Sequence, residues 1–284
     1  MTIDDKWIGW EWYTIIANKT WKIAVMIQST KSAVIQDVLS KVPASVLFWV
    51  KTITADLAEN YDWVCRTMFK RAVKIADKFH VIKLWIEALQ NIRIRYRQKA
   101  IDDERIRYEE FRSSEAERRN ELKQQGKLFH KACFPNAKTY INGETKKQLL
   151  ARSRYLLFQF KTKWSEYQSE RAEILFEEFP EIKQAYQIIT SFRTIYNIID
   201  TENIDVSKKF ETWRKNAVDS WITEIISFAS TYERHKYEIL PYFKYRQTNA
   251  FAESLNAKIQ RFVISNYWIR NRDFFHFRIK QFLS

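Results

Sequence analysis

With 3 Gly and 4 Pro in 284 residues, this chain has very few places at which it can turn sharply. Gly supplies the positive-φ positions of tight turns and Pro interrupts helices, so a sequence this poor in both favours long helices over turn-rich β architecture. Its 46% hydrophobic and 16% aromatic content is enough to bury a substantial core. The N-terminal part departs from the helical pattern. Trp12 to Ala17 and Lys22 to Ile27 are short β-branched and aromatic runs that read as a hairpin around Asn18, Lys19 and Thr20, with Ile3 in a strand beside them. Ser32 is expected to cap a helix reaching about Lys41, before Pro43. Val50 to Ala55 then reads as a fourth strand, Tyr61 to Arg71 as a helix and Val73 to Ala76 as a fifth strand. A long helix starts near Phe79, with Phe79 itself in the core.

From residue 82 to 240 the spacing is helical and the charge dense, with Arg93, Arg95, Arg97, Arg105 and Arg107 among Asp102, Asp103, Glu104, Glu109 and Glu110. Mixed charge of this kind reads first as a solvated helix face. Gly126, Pro135, the Asn142-Gly143 pair and Pro180 punctuate the region, and no internal repeat is present.

The formal charge is +14 and the sequence pI about 9.6, which makes a polyanion the natural partner, because each cation set on a phosphate releases condensed counterions. The bias is strongest near the C-terminus. Lys244, Arg246, Lys258, Arg261, Arg270, Arg272, Arg278 and Lys280 stand there against only Glu253 and Asp273. Cys65 and Cys133 are too few for a disulfide framework or a zinc site, which suits a reduced, cytoplasmic setting. No apolar run approaches the roughly 18 residues of a membrane span, and the N-terminus lacks the pattern of a signal peptide.

The most informative stretch is Thr248-Asn249-Ala250-Phe251-Ala252-Glu253-Ser254-Leu255-Asn256-Ala257-Lys258-Ile259. On helical spacing Phe251, Leu255, Ile259 and Phe262 form an apolar stripe, and Asn249, Glu253, Asn256 and Gln260 a polar stripe on roughly the opposite side. Glu253 has no cation four residues on, so an i,i+4 ion pair does not explain it. Far upstream stand Ala76-Asp77-Lys78-Phe79-His80-Val81, an isolated acid in Ile53-Thr54-Ala55-Asp56-Leu57, and Thr2-Ile3-Asp4-Asp5.

Together with Gln148 to Leu157, these segments resemble the landmarks of bacterial insertion-sequence transposases of the DDE, RNase H-like superfamily, in particular the ISL-three type and its ISAon group. The resemblance covers nearly the whole chain. It implies a five-stranded mixed sheet with flanking helices, laid down as three strands, helix, strand, helix, strand. It also implies a large all-helical insertion before the helix that bears the Glu, making the chain mostly α overall. On this reading residues 1–81 are the first part of the core, 82–240 the insertion, and 241–284 the C-terminal helices of the core.

The resemblance implies a chemistry as well. Cleavage and strand transfer on DNA need an in-line attack on phosphorus, and two divalent ions about 4 Å apart, held by a few carboxylates, can stabilise the attacking and leaving oxygens. Asp4, Asp56 and Glu253 are the candidate catalytic and metal-binding acids. Asp5 is a weaker candidate than Asp4, because strand alternation turns it to the other face. Hard oxygen ligands and a phosphate substrate point to Mg2+, with Mn2+ an alternative. Asp77 and His80 match the family's Asp-x-Phe-His segment and are read as support for the site or as a contact to the scissile strand. Asn249 and Asn256 flank Glu253 by about one turn, where they could orient it or touch phosphate. Arg246, Lys258, Arg261, Arg270 and Arg272 are the expected DNA-binding cations.

The partners implied are transposon-end and target DNA and further copies of the chain. The family's amino-terminal DNA-binding region, with helix-turn-helix and zinc-binding parts, has no counterpart here, so a separate polypeptide is one expected source of it. Trp10, Trp21 and Trp268, among 11 tryptophans, stand where small loop residues are expected. An inactive remnant that binds DNA and an RNase H-like nuclease that does not transfer strands are the alternatives.

Overall fold

The computed structural model describes residues 1–8, 11–18, 23–266 and 271–283, and only the backbone of Phe251, Arg272, Lys280 and Leu283. Lys19, Thr20, Trp10, Trp21, Trp268 and Arg270 lie outside the described residues.

Five strands form one mixed sheet: β1 (Thr2–Ile8), β2 (Glu11–Ala17), β3 (Ile23–Ile27), β4 (Thr52–Ala55) and β5 (Val73–Ala76), in the order β3-β2-β1-β4-β5. The first three pair antiparallel, and β4 runs parallel to both β1 and β5. The helices are α1 (Ser32–Ser40), α2 (Ala44–Phe48), α3 (Glu59–Met68), α4 (Lys78–Gln124), α5 (Lys146–Arg152), α6 (Glu166–Glu178), α7 (Pro180–Tyr196), α8 (Val206–Val218), α9 (Thr223–Ile239), α10 (Pro241–Tyr245), α11 (Ala250–Ser265) and α12 (Arg272–Leu283). A mixed sheet with flanking helices and a majority of helix is the RNase H-like arrangement with a helical insertion.

The sheet separates two apolar layers, as side-chain alternation requires. Ile3, Ile16, Ile27, Ile53 and Ala55 pack with Ile35, Leu39, Tyr61, Val64 and Phe69 of α1, α3 and the turn after it. Ile8, Tyr13, Ile15 and Ala17 pack with Leu255, Ile259 and Phe262 of α11 and Ile279 of α12. The apolar stripe expected on residues 255–262 is therefore the face that α11 lays on the sheet, while Phe251 has no described side chain.

Three local expectations need correction. Ser32 is already helical: Lys31 is the extended N-cap residue, and no side chain caps the helix, while the nearby hydroxyl of Ser29 accepts the Lys31 amide. The short helix α2 was not foreseen, five residues being too few for a periodic signal. Phe79 is 46% exposed, because α4 buries Val81, Trp85, Ala88, Leu89 and Ile92, and a residue two positions before Val81 points about 200° away from that stripe.

The chain divides into two compact units. Residues Met1–Leu84, Ile198–Lys209 and Ser230–Ser284 make the sheet unit, and Trp85–Asn197 with Phe210–Ala229 make a helical one. The helical unit falls inside the interval 82–240, whereas Ile198–Lys209 and the stretch from Ser230 belong with the sheet.

The helical unit is built on rings and one buried ion pair. Phe192 lies 4.7 Å from Trp213 and 4.9 Å from Phe228, centroid to centroid, and the indole N–H of Trp213 donates to the Ile188 carbonyl at 2.9 Å. Glu144, whose side chain is 1% exposed, accepts from Arg171 at 2.6 and 3.0 Å and from Arg152 at 3.0 Å. Burial pushes the Glu144 carboxyl up, but the hydrogen bonds and charges of the two arginines outweigh it and hold it below the usual carboxylate range.

Gly126, two residues past Gln124, the last residue of α4, closes that helix at φ +67°; its amide donates to the Lys123 carbonyl and that of Lys127 to the Leu122 carbonyl, a Schellman motif. No heavy atom lies within 4 Å of an added Cβ there, so the cost of a side chain is backbone strain alone. Gly126→Ala is expected to lower stability by about 1–2 kcal/mol, read as a shift of the urea unfolding midpoint.

Candidate active site

Asp4 lies on β1, Asp56 directly after β4 and Asp77 directly after β5. Thr2 stands opposite Thr54 in the parallel β1–β4 pair, and Ala55 opposite Ala76 in β4–β5. Continuing the first register by two residues and the second by one sets Asp4, Asp56 and Asp77 in one row across three adjacent strands, spaced by about 4.8 Å per strand. The Asp77 amide donates to the Ala55 carbonyl at 2.8 Å, which holds the last step of that row. Alternation turns Asp4 toward the α11 face and Asp77 meets the start of α11 through the Asn249 amide, whereas Asp56 stands just past the end of β4 with its carboxylate on the Ala58 amide. The carboxyl ends of parallel strands are where open α/β sheets place their ligands.

Helix α11 carries its polar residues to this row. The Asn256 amide donates to Asp4 Oδ2 at 2.7 Å, the Asn249 backbone N–H donates to Asp77 Oδ1 at 3.2 Å, and Asp77 Oδ2 lies 2.8 Å from His80 Nδ1. Asn249 is 1% exposed, whereas Glu253 and Gln260 are exposed. The polar stripe is thus split. Asn256 follows Leu255 by only 100° and sits at the edge of the buried face, so its side chain serves Asp4 rather than Glu253, while Asn249 meets the site through its backbone N–H on Asp77. Glu253 is in the first turn of α11, and its carboxyl is pushed up by burial, then by the negative charge of Asp77, with His80 opposing.

The electrostatics tie these groups together. Burial is the main cause that raises Asp4 to about 6, with the Asp5 amide and His80 acting against it and Asp77 and Asp5 adding to it. His80 is raised chiefly by its hydrogen bond to Asp77, against burial, with Asp77, Asp56 and Asp4 adding charge. Asp56 Oδ1 accepts the Ala58 amide at 3.0 Å, which fixes the turn into α3.

Asp5 faces the opposite layer, as alternation requires. It accepts from Tyr61 Oη and from Thr14 Oγ1, the latter at 2.8 Å, and its own amide donates to Asp4 Oδ1 at 3.0 Å. This network was missed in the sequence; the signal that could have found it is that a buried acid must collect donors, and Tyr61 opens the facing helix.

Among the described residues no three His, Cys, Asp or Glu side chains stand close enough to hold a metal ion as arranged. The donor chemistry nevertheless suits a hard cation. Asp4, Asp56 and Glu253 offer oxygens, burial penalises the charge on Asp4, and Asn249 Oδ1 and Asn256 Oδ1 are buried acceptors with no hydrogen-bond donor.

The expected DNA-binding cations are placed unevenly. Lys258 and Arg261 lie on α11, with Arg261 exposed, and Arg272 opens α12. Arg246 ends α10 at φ +51°, and its guanidinium donates to the carbonyls of Ile198 and Ile199 at 2.6 and 3.0 Å.

A family model described as Transposase, that of the DDE transposases of the ISL-three type, matches residues 3–279. The chain belongs to that family. The match runs from Ile3 of β1 to Ile279 of α12, so all three acids of the sheet row and Glu253 lie within the transposase region. No curated protein and no solved structure matches the chain. As a transposase it acts in DNA transposition and recombination and binds DNA. None of its described helices is long and apolar enough to cross a membrane.

Proposed function

We propose that this transposase chain cuts DNA at the ends of an insertion sequence and joins the freed 3′ hydroxyls to target DNA, with Asp4, Asp56 and Glu253 holding two Mg2+ or Mn2+ ions. The observation that most supports this reading is the strand register, Thr2 opposite Thr54, which continued by two residues brings Asp4 beside Asp56, with α11, the helix that carries Glu253, hydrogen-bonded to Asp4 through Asn256. Such ions, when bound, stabilise charge on the attacking and leaving oxygens. The chain supplies the orientation. Asn256 and the Asp5 amide hold one oxygen each of Asp4, and the Asp56 turn fixes the second acid at the strand end. Asp77 and Asn249 brace the junction between the sheet and α11. Further copies of the chain on DNA are part of the same reading.

The test is cleavage of end-labelled duplex DNA that carries the terminal repeats flanking the coding sequence. Nicks at the repeat junction in Mg2+ or Mn2+, lost in EDTA, and joined products from precleaved ends are expected. Cleavage without joining would leave a nuclease, and cleavage that survives EDTA would remove the metal-dependent scheme.

Asp4 predicts a pH dependence. Its folded pKa of about 6 lies above the ordinary 3.8, so the folded state holds this proton more tightly than the unfolded chain. Its contribution to stability is present below about pH 4 and is lost as pH rises to about 6, so the metal-free protein is expected to lose melting temperature across that window. Ion binding requires the carboxylate, so Mn2+ affinity should rise by up to about tenfold per pH unit below about pH 6, with one proton released. Calorimetry in two buffers of different ionisation enthalpy measures that proton. A pH-independent affinity would remove Asp4 from the ligand set.

Binding should also weaken steeply with salt. Neutralising Lys258 and Arg261 is expected to flatten the slope of log K against log salt by about two, near one per lost phosphate contact. Arg246→Gln should flatten it less, because the guanidinium is already held by two carbonyls. An unchanged slope for the Lys258 and Arg261 pair would place the DNA on another face.

A further inference from the structure

Asp77 is fully engaged within the protein. Its side chain is 2% exposed, Oδ1 takes the Asn249 amide and Oδ2 pairs with His80 Nδ1 at 2.8 Å. A carboxylate only accepts hydrogen bonds, so Nδ1 carries the hydrogen and Nε2 is the nitrogen left for chemistry, on a side chain that is 40% exposed. Its anchor Asp77 follows β5 directly, one residue past the Ala55–Ala76 pair that sets it beside Asp56, and touches the start of α11, so the charges of Asp4, Asp56 and Glu253 act on the imidazole, with Lys78 and Lys83 on its own helix. A buried carboxylate that orients an imidazole, which in turn meets the reacting groups, is an arrangement suited to proton transfer.

We propose that His80, anchored by Asp77, carries the proton of the 3′ oxygen at the scissile phosphate, giving it in cleavage and taking it back in joining. The inference rests on the transposase reading of the site. In cleavage a water oxygen bonds to phosphorus and its proton goes to solvent. The bond from phosphorus to O3′ breaks with its electron pair on O3′, and His80, protonated on both nitrogens before the step, passes the Nε2 proton to that oxygen and becomes the neutral imidazole. In joining, O3′–H returns its proton to the neutral Nε2 as O3′ bonds to a target phosphorus. The target bond breaks with its pair on the departing oxygen, which takes a solvent proton. One imidazole thereby serves both halves, because both use the same oxygen.

The test compares duplexes with the flanking terminal repeats that have oxygen or sulfur at the 3′-bridging position of the scissile phosphate, cut by the full chain in Mn2+. A thiolate leaves without being protonated, so His80→Gln is expected to lose about 100-fold on the oxygen duplex and less than about threefold on the sulfur one. Asp77→Asn keeps the volume but removes the anchoring charge. It is expected to move the His80 titration, followed by imidazole NMR of the metal-free chain, to lower pH, and the alkaline limb of the oxygen-duplex rate with it. Equal losses of His80→Gln on both duplexes, or an unmoved His80 titration in Asp77→Asn, would overturn the proton-carrier role. A wild-type chain that cut neither duplex would overturn the transposase reading of the site and this inference with it.

Discussion

Glu253→Gln is expected to lower DNA cleavage by about 10³-fold or more, a barrier increase of about 4 kcal/mol, while leaving DNA affinity and the melting temperature close to those of the wild type. The substitution keeps the side-chain volume and removes only the charge that would help hold an ion. Glu253 is exposed, so no packing is lost, and the α11 face that buries Leu255, Ile259 and Phe262 is untouched. The control is Gln260→Glu, on an exposed residue about two turns further along the same helix, which should leave the rate nearly unchanged. Filter binding and single-turnover cleavage on the same duplex separate the two quantities. Parallel losses in binding and cleavage for Glu253→Gln would mark a folding or docking role and end its assignment as a metal ligand.

The second large effect belongs to stability. Arg171→Ala strands Glu144 in the interior of the helical unit, at 1% exposure, with only the more exposed Arg152 left as a cation. Removing one partner of a buried pair leaves an uncompensated charge, and a loss of about 3–5 kcal/mol is expected. The double replacement Glu144→Met with Arg171→Leu should cost less than Arg171→Ala, because it removes the charge along with its partner. The sign with pH follows from Glu144, whose carboxyl is held low. Its contribution is present above the ordinary glutamate pKa and disappears as pH falls through the depressed value, so wild type and Arg171→Ala should converge in acid. Urea unfolding followed by far-UV circular dichroism measures both. A difference under about 1 kcal/mol at neutral pH would show that water reaches Glu144.

These effects depend on different kinds of information in the chain. Local chemistry made much of the fold legible. β-branched runs such as Ile53-Thr54-Ala55 become strands and the Leu255, Ile259, Phe262 spacing becomes a packed helix face, because periodicity states directly which side of an element seeks the core. Alternation likewise separated Asp4 from Asp5 before any fold was in view, and the two acids do enter opposite layers. Short elements and caps were less legible. Ser32 has the composition of a cap, but the turn before it uses Ser29 instead, and α2 is shorter than the period needed to recognise it. The tertiary structure alone decided which distant residues meet. The sequence spacing of Asp4, Asp56 and Asp77 carries no geometry, and it is the β1–β4–β5 register that sets them in a row. The same holds for Asn256, which in the sequence stands beside Glu253, whereas the crossing of α11 over β1 sets its amide 2.7 Å from Asp4. Sequence determines what each element can bury, whereas hydrogen-bonded register and helix crossing determine which buried groups become neighbours.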